Sequence, residues 1–153
     1  MNVGKNKTKA ILATFLVLTF VITLIALPTA NAHSPPWTIT THAFITVNPN
    51  PVGVGQRVII VVWAGLLLPS ATVSNNIRFH DYKVTITRPD GETETITWDV
   101  VWDSTSTAWA EYTPNQVGTY KFVFSYPDQV YTWSGTYQND TYLGATSKTL
   151  YLQ

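Results

Sequence analysis

Three histidines carry the most specific chemistry in this sequence, and they stand at positions 33, 42 and 80. An N-terminal histidine can bind copper through its amine and an imidazole nitrogen, and a second imidazole can complete a T-shaped site. His33 would become such a terminus after a cut behind Ala32, with His42 or His80 as the second imidazole. The sequence thus holds the donors for a mononuclear copper site, and copper is the one cofactor it suggests.

Each histidine also has an interpretation without any cofactor. His33 would be a solvated residue that happens to follow the cut. His42 would be a half-buried residue of the first strand, and His80 would form a local hydrogen bond or ion pair at the start of a later strand. Because the third position after the cut is Pro35, the N-terminal copper motif that requires histidine there is absent. Both interpretations stay open at this point.

Carboxylates that could act as a catalytic pair are few. Asp99, Asp103 and Glu111 are close in sequence, and paired carboxylates are the minimum for glycoside hydrolysis. Asp99 falls in a predicted strand and Asp103 in a turn, so their spacing does not bring them together. The sequence has neither a serine nucleophile elbow nor a glycine-rich phosphate loop. We therefore expect a protein that binds rather than an enzyme.

Aromatic residues are dense between residues 127 and 145, where Tyr131, Trp133 and Tyr137 stand. Rings that lie flat at a surface can stack on sugars or on a partner protein, which makes these three residues a candidate binding platform. The alternative is that the rings cover the open end of the core. Asn139 begins a glycosylation sequon in the same segment, which suits a surface loop of an exported chain.

The first 32 residues have the features of an export signal. Three lysines precede an uncharged apolar run over residues 10–27, which Pro28 interrupts. Ala30 and Ala32 then form the small-x-small pattern after which signal peptidases cut. We predict cleavage after Ala32, so that the protein is secreted or held at the cell surface. An uncleaved run would instead serve as a membrane anchor.

The part that follows the signal is one domain, residues 33–153. It has six basic and nine acidic residues, a net charge of −3, and no cysteine. An acidic surface argues against binding to nucleic acid or to an anionic membrane. An exported domain of this size without disulfides must be stabilised by its core alone, and the many aromatic rings suit that requirement.

Short β-prone runs alternate with Pro, Gly, Asn and Asp about every ten residues, which is typical of all-β domains. No helix is expected after residue 32. The run from Val58 to Trp63 is apolar at every position, so it predicts a central strand buried on both faces. The predicted strands cover residues 38–47, 56–64, 79–88, 92–102, 108–112, 119–126 and 146–153.

Three segments resemble extracellular immunoglobulin-like modules. Residues 50–58 (NPVGVGQRV) resemble the entry to the second strand, residues 82–91 (YKVTITRPDG) a strand hairpin, and residues 112–120 (YTPNQVGTY) the approach to strand F. The resemblance implies an immunoglobulin-like β-sandwich of about seven strands, preceded by an N-terminal signal helix. It implies that Tyr120 is the tyrosine-corner residue and that Trp63 fills a core position.

More narrowly, residues 33–39 (HSPPWTI), 50–56 (NPVGVGQ) and 78–80 (RFH) together resemble the N-terminal module of secreted archaeal proteins. Such modules often precede β-propeller repeats of the pyrroloquinoline-quinone type. The resemblance implies no settled activity and no quinone site in this chain. We expect a module for binding, adhesion or surface structure whose partner is an extracellular protein or glycan.

Two loops are the predicted contact regions of this module, residues 65–78 and 127–145. Unpaired edge strands offer a second route to contact, because they can accept a strand from another subunit. The copper protein and the carbohydrate-binding module remain the alternative functions.

Overall fold

The computed structural model of the protein describes residue 9, residues 11–19 and residues 32–153. The chain divides into two compact units, Met1–Asn31 and Ala32–Gln153. Residues 11–19 are helical. Among the described residues, no helix combines the length and apolar character needed to cross a membrane. Most of the predicted signal, including Pro28 and Ala30, lies outside the described residues, so the signal stays a prediction.

The second unit is built from strands and the turns that join them, which confirms the all-β prediction. Its strands are short to medium in length, as expected for runs broken by Pro, Gly and Asn. In chain order they are β1 (Thr38–Ile39), β2 (Ala43–Asn48), β3 (Val58–Ala64), β4 (His80–Thr87), β5 (Thr93–Val100), β6 (Thr107–Tyr112), β7 (Tyr120–Tyr126), β8 (Gln129–Val130), β9 (Thr141–Tyr142), β10 (Ala145–Thr146) and β11 (Leu150–Leu152).

These strands form two larger sheets and a small one. The first sheet has the antiparallel order β2–β3–β6. The second sheet has the order β5–β4–β7, and both β10 and β11 pair with the far edge of β7. In the small sheet β8 and β9 are antiparallel, and β1 pairs with β9 in parallel.

The inner faces of the two larger sheets share one hydrophobic core. Alternate residues of β3, β4 and β7 point into it, as the period of two along a strand requires. The ring of Tyr82 packs against Phe124 with centroids 4.8 Å apart. The fully buried members on these strands are Val58, Ile60, Val62, Tyr82, Val84, Ile86, Tyr120, Phe122 and Phe124.

Strand β3 differs from its prediction, because only one of its faces is buried. Ile60 and Val62 are fully buried, whereas Ile59 is exposed and Trp63 is half-buried. The alternation along the strand places Ile59 and Trp63 on the outer face of the first sheet. The expectation that Trp63 fills a core position is therefore wrong.

Two predicted strands are interrupted at residues whose side-chain hydroxyls make hydrogen bonds within the domain. The first, residues 38–47, divides into β1 and β2 at Thr41, whose buried hydroxyl lies 2.7 Å from the hydroxyl of Tyr126. The last, residues 146–153, divides into β10 and β11 at Ser147. There the side-chain oxygen of Ser147 accepts the N–H of Phe124 at 3.0 Å, which leaves a bulge in the strand.

Candidate functional site

The outer face of the first sheet carries a cluster of five apolar side chains beside four polar ones, Thr46, Asn48, Thr107 and Glu111. The register places Phe44 of β2 beside Trp63 of β3, and Val61 of β3 beside Trp109 of β6. Ile59 follows on the same side of β3. We call these five side chains, Phe44, Ile59, Val61, Trp63 and Trp109, the apolar face.

Water reaches much of this apolar face. Trp109 is 63 % exposed, Phe44 is 44 % exposed and Ile59 is 37 % exposed. The rings of Phe44 and Trp63 stack on each other, with centroids 5.5 Å apart and planes 18° apart. Exposed apolar side chains scattered singly are ordinary, but a contiguous group on one sheet marks a contact surface.

The outer face of the second sheet provides an internal comparison, since it belongs to the same domain and faces solvent in the same way. It is mostly polar, with Val123 and the 54 % exposed Tyr151 as its apolar members. Its outward residues are Asp81, Lys83, Thr85 and Thr87 on β4, Thr93, Thr95, Thr97 and Asp99 on β5, Lys121, Val123 and Ser125 on β7, Thr146 on β10 and Tyr151 on β11. The apolar character of the first sheet is thus specific to that face and is not a general property of the domain.

One ion pair borders the apolar face at the end where β3 begins. The guanidinium of Arg57 lies 2.9 Å from the carboxylate of Glu111, and both side chains are largely exposed. An exposed pair of this kind adds little to folding stability. It gives this margin one positive and one negative charge.

A groove of about 220 Å³ continues the apolar face around the side of the domain. It lies between the edge strands β5 and β6, and its lining includes Trp98, Trp102, Asp103 and Trp109. Trp102 is 76 % exposed. Because Trp109 belongs to both the groove and the apolar face, the two form one continuous aromatic surface.

His33 is anchored to the protein and is not the solvated residue expected. Its Nδ1 donates to the carboxylate of Asp140 at 2.7 Å, and its backbone N–H donates to the carbonyl of Thr136 at 3.1 Å. The imidazole also stacks on Trp37, with centroids 3.6 Å apart. The two nitrogens that a copper brace would use are therefore already bonded to protein oxygens.

The other two histidines lie in different surroundings. His42 is exposed and stands just before β2, which corrects the expectation of a half-buried strand residue. The Nδ1 of His80 lies 3.1 Å from the carbonyl of Asp99, the local hydrogen bond that was the alternative to copper. Within residues 9, 11–19 and 32–153, no group of three or more His, Asp or Glu side chains is arranged to hold a metal ion. The copper site thus has no support from the geometry.

Two rings of the predicted aromatic platform, Tyr131 and Trp133, are held against the protein, whereas Tyr137 is exposed. Tyr131 is 3 % exposed and its hydroxyl donates to the carbonyl of Pro69, while the indole N–H of Trp133 donates to Asn76. Tyr131 meets both Trp133 and Tyr137 edge to face, at 66° and 70°. Rings in this arrangement do not form a flat platform for a sugar, so the alternative of rings that cover the end of the core is favoured.

The two predicted contact loops are also tied to the domain. Beyond the bonds just given, the buried Arg78 donates from Nε to the carbonyl of Trp102 at 2.8 Å and from Nη2 to the carbonyl of Thr72 at 2.9 Å. Residues 127–145, predicted to be irregular, contain β8 and β9. These loops thus contribute to the packing of the domain, although Val73 remains exposed.

Tyr120 makes the contact that its predicted role requires. It is 1 % exposed, and its hydroxyl accepts the backbone N–H groups of Asn115 at 3.1 Å and Gln116 at 2.9 Å. The hydroxyl thereby ties β7 to the connection that precedes it. Asn139, the sequon residue, is exposed in a turn with φ of 71°, a conformation that asparagine tolerates.

Two of the carboxylates considered for catalysis, Asp103 and Glu111, have separate partners. Asp103 accepts the backbone N–H and the hydroxyl of Thr105, and these bonds lower its pKa below the ordinary value. A carboxylate with a lowered pKa is ionised at neutral pH and is a poor general acid. Glu111 is paired with Arg57. A groove of about 730 Å³ between β2 and β10–β11 has only His42 and Lys148 as ionisable side chains in its lining.

Comparisons with known proteins do not add a relative. No protein-family model, no curated protein and no solved structure gives a significant match to the chain. The resemblances to immunoglobulin-like and archaeal modules therefore stay predictions, and the function has to be argued from the geometry.

The apolar face could not be predicted from the sequence, although its central strand is apolar at every position. The run from Val58 to Trp63 was interpreted as a strand covered on both sides. Phe44 and Trp109 stand at outward positions of the two neighbouring strands, and their pairing with β3 could have been inferred only from the register. Register depends on contacts between strands that are far apart in sequence.

Proposed function

We propose that residues 33–153 act as a secreted or cell-surface immunoglobulin-like module that binds a protein partner through the apolar face. The strand order supports the fold assignment. The first sheet takes β2, β3 and β6, the second takes β5, β4, β7 and β10–β11, and the chain crosses between them after β3, β5 and β6. The hydroxyl of Tyr120, bonded to backbone four and five residues upstream, supports the same assignment.

The proposed location outside the cell is supported by the N-terminal sequence. The sequence carries the lysines, the apolar run and the small-x-small pattern of an export signal. Cleavage after Ala32 would remove one residue from the second compact unit, Ala32–Gln153, and would leave its core intact.

The observation that carries the proposal is the contrast between the two outer faces of the domain. Burying one large apolar side chain completely is worth roughly 1.5–3 kcal/mol. The apolar face leaves several such side chains partly in water, and a partner that covered them would recover part of that free energy. The threonine-rich outer face of the second sheet offers a smaller gain, since Tyr151 and Val123 are its apolar side chains.

A photo-crosslinking experiment tests the proposal. Because the sequence has no cysteine, each introduced cysteine is the single position that the reagent labels. Thr46→Cys places a single thiol among the residues of the apolar face, and Thr85→Cys places one at a matched, half-buried position on the second sheet. Each variant is labelled with a benzophenone maleimide and illuminated in the extracellular fraction of the producing cells.

We expect covalent peptide adducts from position 46 and none from position 85, and none from position 46 in the intracellular fraction. Adducts from position 85 alone, or equal yields from both positions, would contradict the assignment of the contact surface. Adducts that form only in the intracellular fraction would contradict the location.

A further inference from the structure

Strand β2 forms one edge of the first sheet, and part of its backbone has no partner there. The backbone N–H of Gly65 donates to the carbonyl of His42, which fixes the phase of the ladder between β2 and β3. In an antiparallel ladder, alternate residues direct their backbone groups to the partner strand, and the residues between them direct theirs away from it. Ala43 and Ile45 therefore aim their N–H and C=O groups at the open edge, where no hydrogen bond from the described part of the chain reaches them.

This edge lacks the features by which proteins usually keep a free edge from pairing, which are charged side chains, prolines, bulges and short length. Strand β2 is six residues long, pairs with β3 at every position and contains neither a charged residue nor a proline. The other edges differ, since β5 carries Glu94 and Asp99, and β6 carries Glu111. At the far edge of the second sheet, the short strands β10 and β11 are separated by the bulge at Ser147. Among the edges of the two larger sheets, β2 is thus the one prepared to pair with a further strand.

A groove of about 730 Å³ runs along this edge, between β2 and β10–β11. Its apolar lining comes from Ala43 and Ile45 on one side and from Ala145 and Leu150 on the other, all of them half-buried and packed against the core. One extended residue fills roughly 160 Å³ when strands lie about 4.8 Å apart, sheets about 10 Å apart and the rise is about 3.4 Å. The groove therefore has room for about four to five residues of a single extended strand.

The opposite wall of the groove offers no second edge of this kind. Along β11, the carbonyl of Tyr151 accepts Nδ2 of Asn50, and the carbonyl of Gln153 accepts the backbone N–H of Val52. A strand that enters the groove would therefore make its backbone hydrogen bonds to β2 and would contact β10–β11 through side chains.

The charges in the groove determine which strand fits it. Its ionisable side chains are His42 and Lys148, which are both exposed, and no carboxylate lies in the lining. Lys148 forms no ion pair within residues 32–153. A second copy that paired its own β2 about a two-fold axis would bring another Lys148 into the shared groove, and like charges disfavour that contact. A strand that carries a carboxylate is favoured instead, because it neutralises Lys148.

We infer that the groove binds a segment of another protein as an extended strand, which adds to β2 and lengthens the first sheet beyond its three strands. Hydrogen bonds to the backbone of Ala43 and Ile45 provide affinity, as in other complexes formed by strand addition. Every second side chain of the segment points between the two sheets and is apolar, and an aspartate or glutamate of the segment lies beside Lys148. The site uses the backbone edge of β2 and does not depend on the proposed role of the apolar face.

Selection from a phage-displayed library of random peptides, with the purified protein as the target, tests the inference. The enriched peptides are synthesised and measured against a matched pair of proline variants. Ala43→Pro removes an N–H that points into the groove. Thr93→Pro removes the equivalent N–H at the first residue of the edge strand β5, whose phase follows from the bond between the N–H of Arg88 and the carbonyl of Glu92. Neither N–H belongs to a ladder, so each strand keeps its pairing.

We expect the enriched peptides to have apolar residues at alternate positions and to contain an aspartate or glutamate. Ala43→Pro should weaken their binding about tenfold, and Thr93→Pro should leave it unchanged. Lys148→Glu should weaken it about threefold, whereas Lys121→Glu, on the outer face of the second sheet, should not. Amide hydrogen exchange of the unmodified protein should slow at Ala43 and Ile45 when a peptide binds.

N-methylation of a selected peptide at alternate residues removes the N–H donors from one of its edges. Of the two forms methylated in this way, we expect one to lose its affinity for the unmodified protein and the other to keep it. The inference is overturned if no peptide is enriched, if both methylated forms bind equally well, or if a folded Ala43→Pro variant binds as tightly as the unmodified protein. Protection of the amide of Thr93 in place of that of Ala43 would overturn it as well, because the strand would then lie at the other edge.

Discussion

Asp140 joins the beginning of the domain to its small sheet. Its side chain is fully buried, and its carboxylate accepts the Nδ1–H of His33 and the backbone N–H of Trp37 at 2.8 Å. Its carbonyl accepts the backbone N–H of Tyr131 at 2.8 Å. A buried carboxylate is unfavourable unless such donors surround it, so His33 is a structural partner of Asp140.

His33→Ala tests this arrangement directly. Removing His33 takes a hydrogen-bond donor from a fully buried carboxylate, and we expect the free energy of unfolding to fall by about 2 kcal/mol. His42→Ala, at an exposed position, should change it by less than about 0.5 kcal/mol. Urea unfolding followed by tryptophan fluorescence measures both variants. Equal effects of the two substitutions would show that the His33–Asp140 contact does not stabilise the domain.

At single residues, the sequence could suggest a contact only when the partner was local. The role expected for Tyr120 involves backbone only four and five residues upstream, and its hydroxyl accepts those N–H groups. The contact between His33 and Asp140 joins residues 107 positions apart, and no pattern in either local segment predicts it. Arg78 was missed for a related reason, since its donors are satisfied by backbone carbonyls that any sequence could supply.

At the scale of the strands, hydrophobic pattern predicted most elements but could not decide which faces are covered. The alternation in β4 shows one buried face, and the structure has that face in the core. In β3 every residue is apolar, so the pattern is the same whether a second layer covers the strand or not. Only the order of strands in the sheets shows that the outer side of β3 is left open.

The connection into β7 packs closely against the turn between β4 and β5. Gly118 has a φ of +137°, and a Cβ there would lie 2.8 Å from the Cβ of Pro89. Gly135 has a similar φ of +129° but open space around it. Substitutions at these two glycines therefore distinguish the effect of backbone strain, which both share, from the effect of the contact with Pro89, which only Gly118 has.

We expect Gly135→Ala to lose about 1 kcal/mol of stability through strain alone, and Gly118→Ala to lose about 2–3 kcal/mol. The larger loss follows because the proline ring cannot move aside easily. Thermal unfolding of the two variants provides the comparison. Equal losses of stability in the two variants would show that the turn between β4 and β5 can move away from residue 118 without a measurable loss of free energy. The packing of Gly118 against Pro89 would then not fix the position of β7.

For the whole molecule, composition predicted the class of the fold and the source of its stability. A chain without cysteine that is rich in aromatic rings folds as two larger sheets around one core, in which the rings of Tyr82, Phe122 and Phe124 are buried. Composition could not predict that one outer face would be apolar and the other polar. That difference arises from the register of β2 and β6 on β3, and the proposed function depends on it.

Hydroxyl-radical footprinting of the unmodified protein tests the central claim most directly, which is that the apolar face is a contact surface. Trp109 and Trp37 are similarly exposed in the isolated domain, at 63 % and 57 %, so they should be oxidised at similar rates when the purified protein is dilute. In the extracellular fraction of the producing cells, we expect the oxidation of Trp109 to slow several-fold while that of Trp37 stays unchanged. Equal oxidation of Trp109 in both settings would contradict the account, because the face would then be open to water where the protein acts.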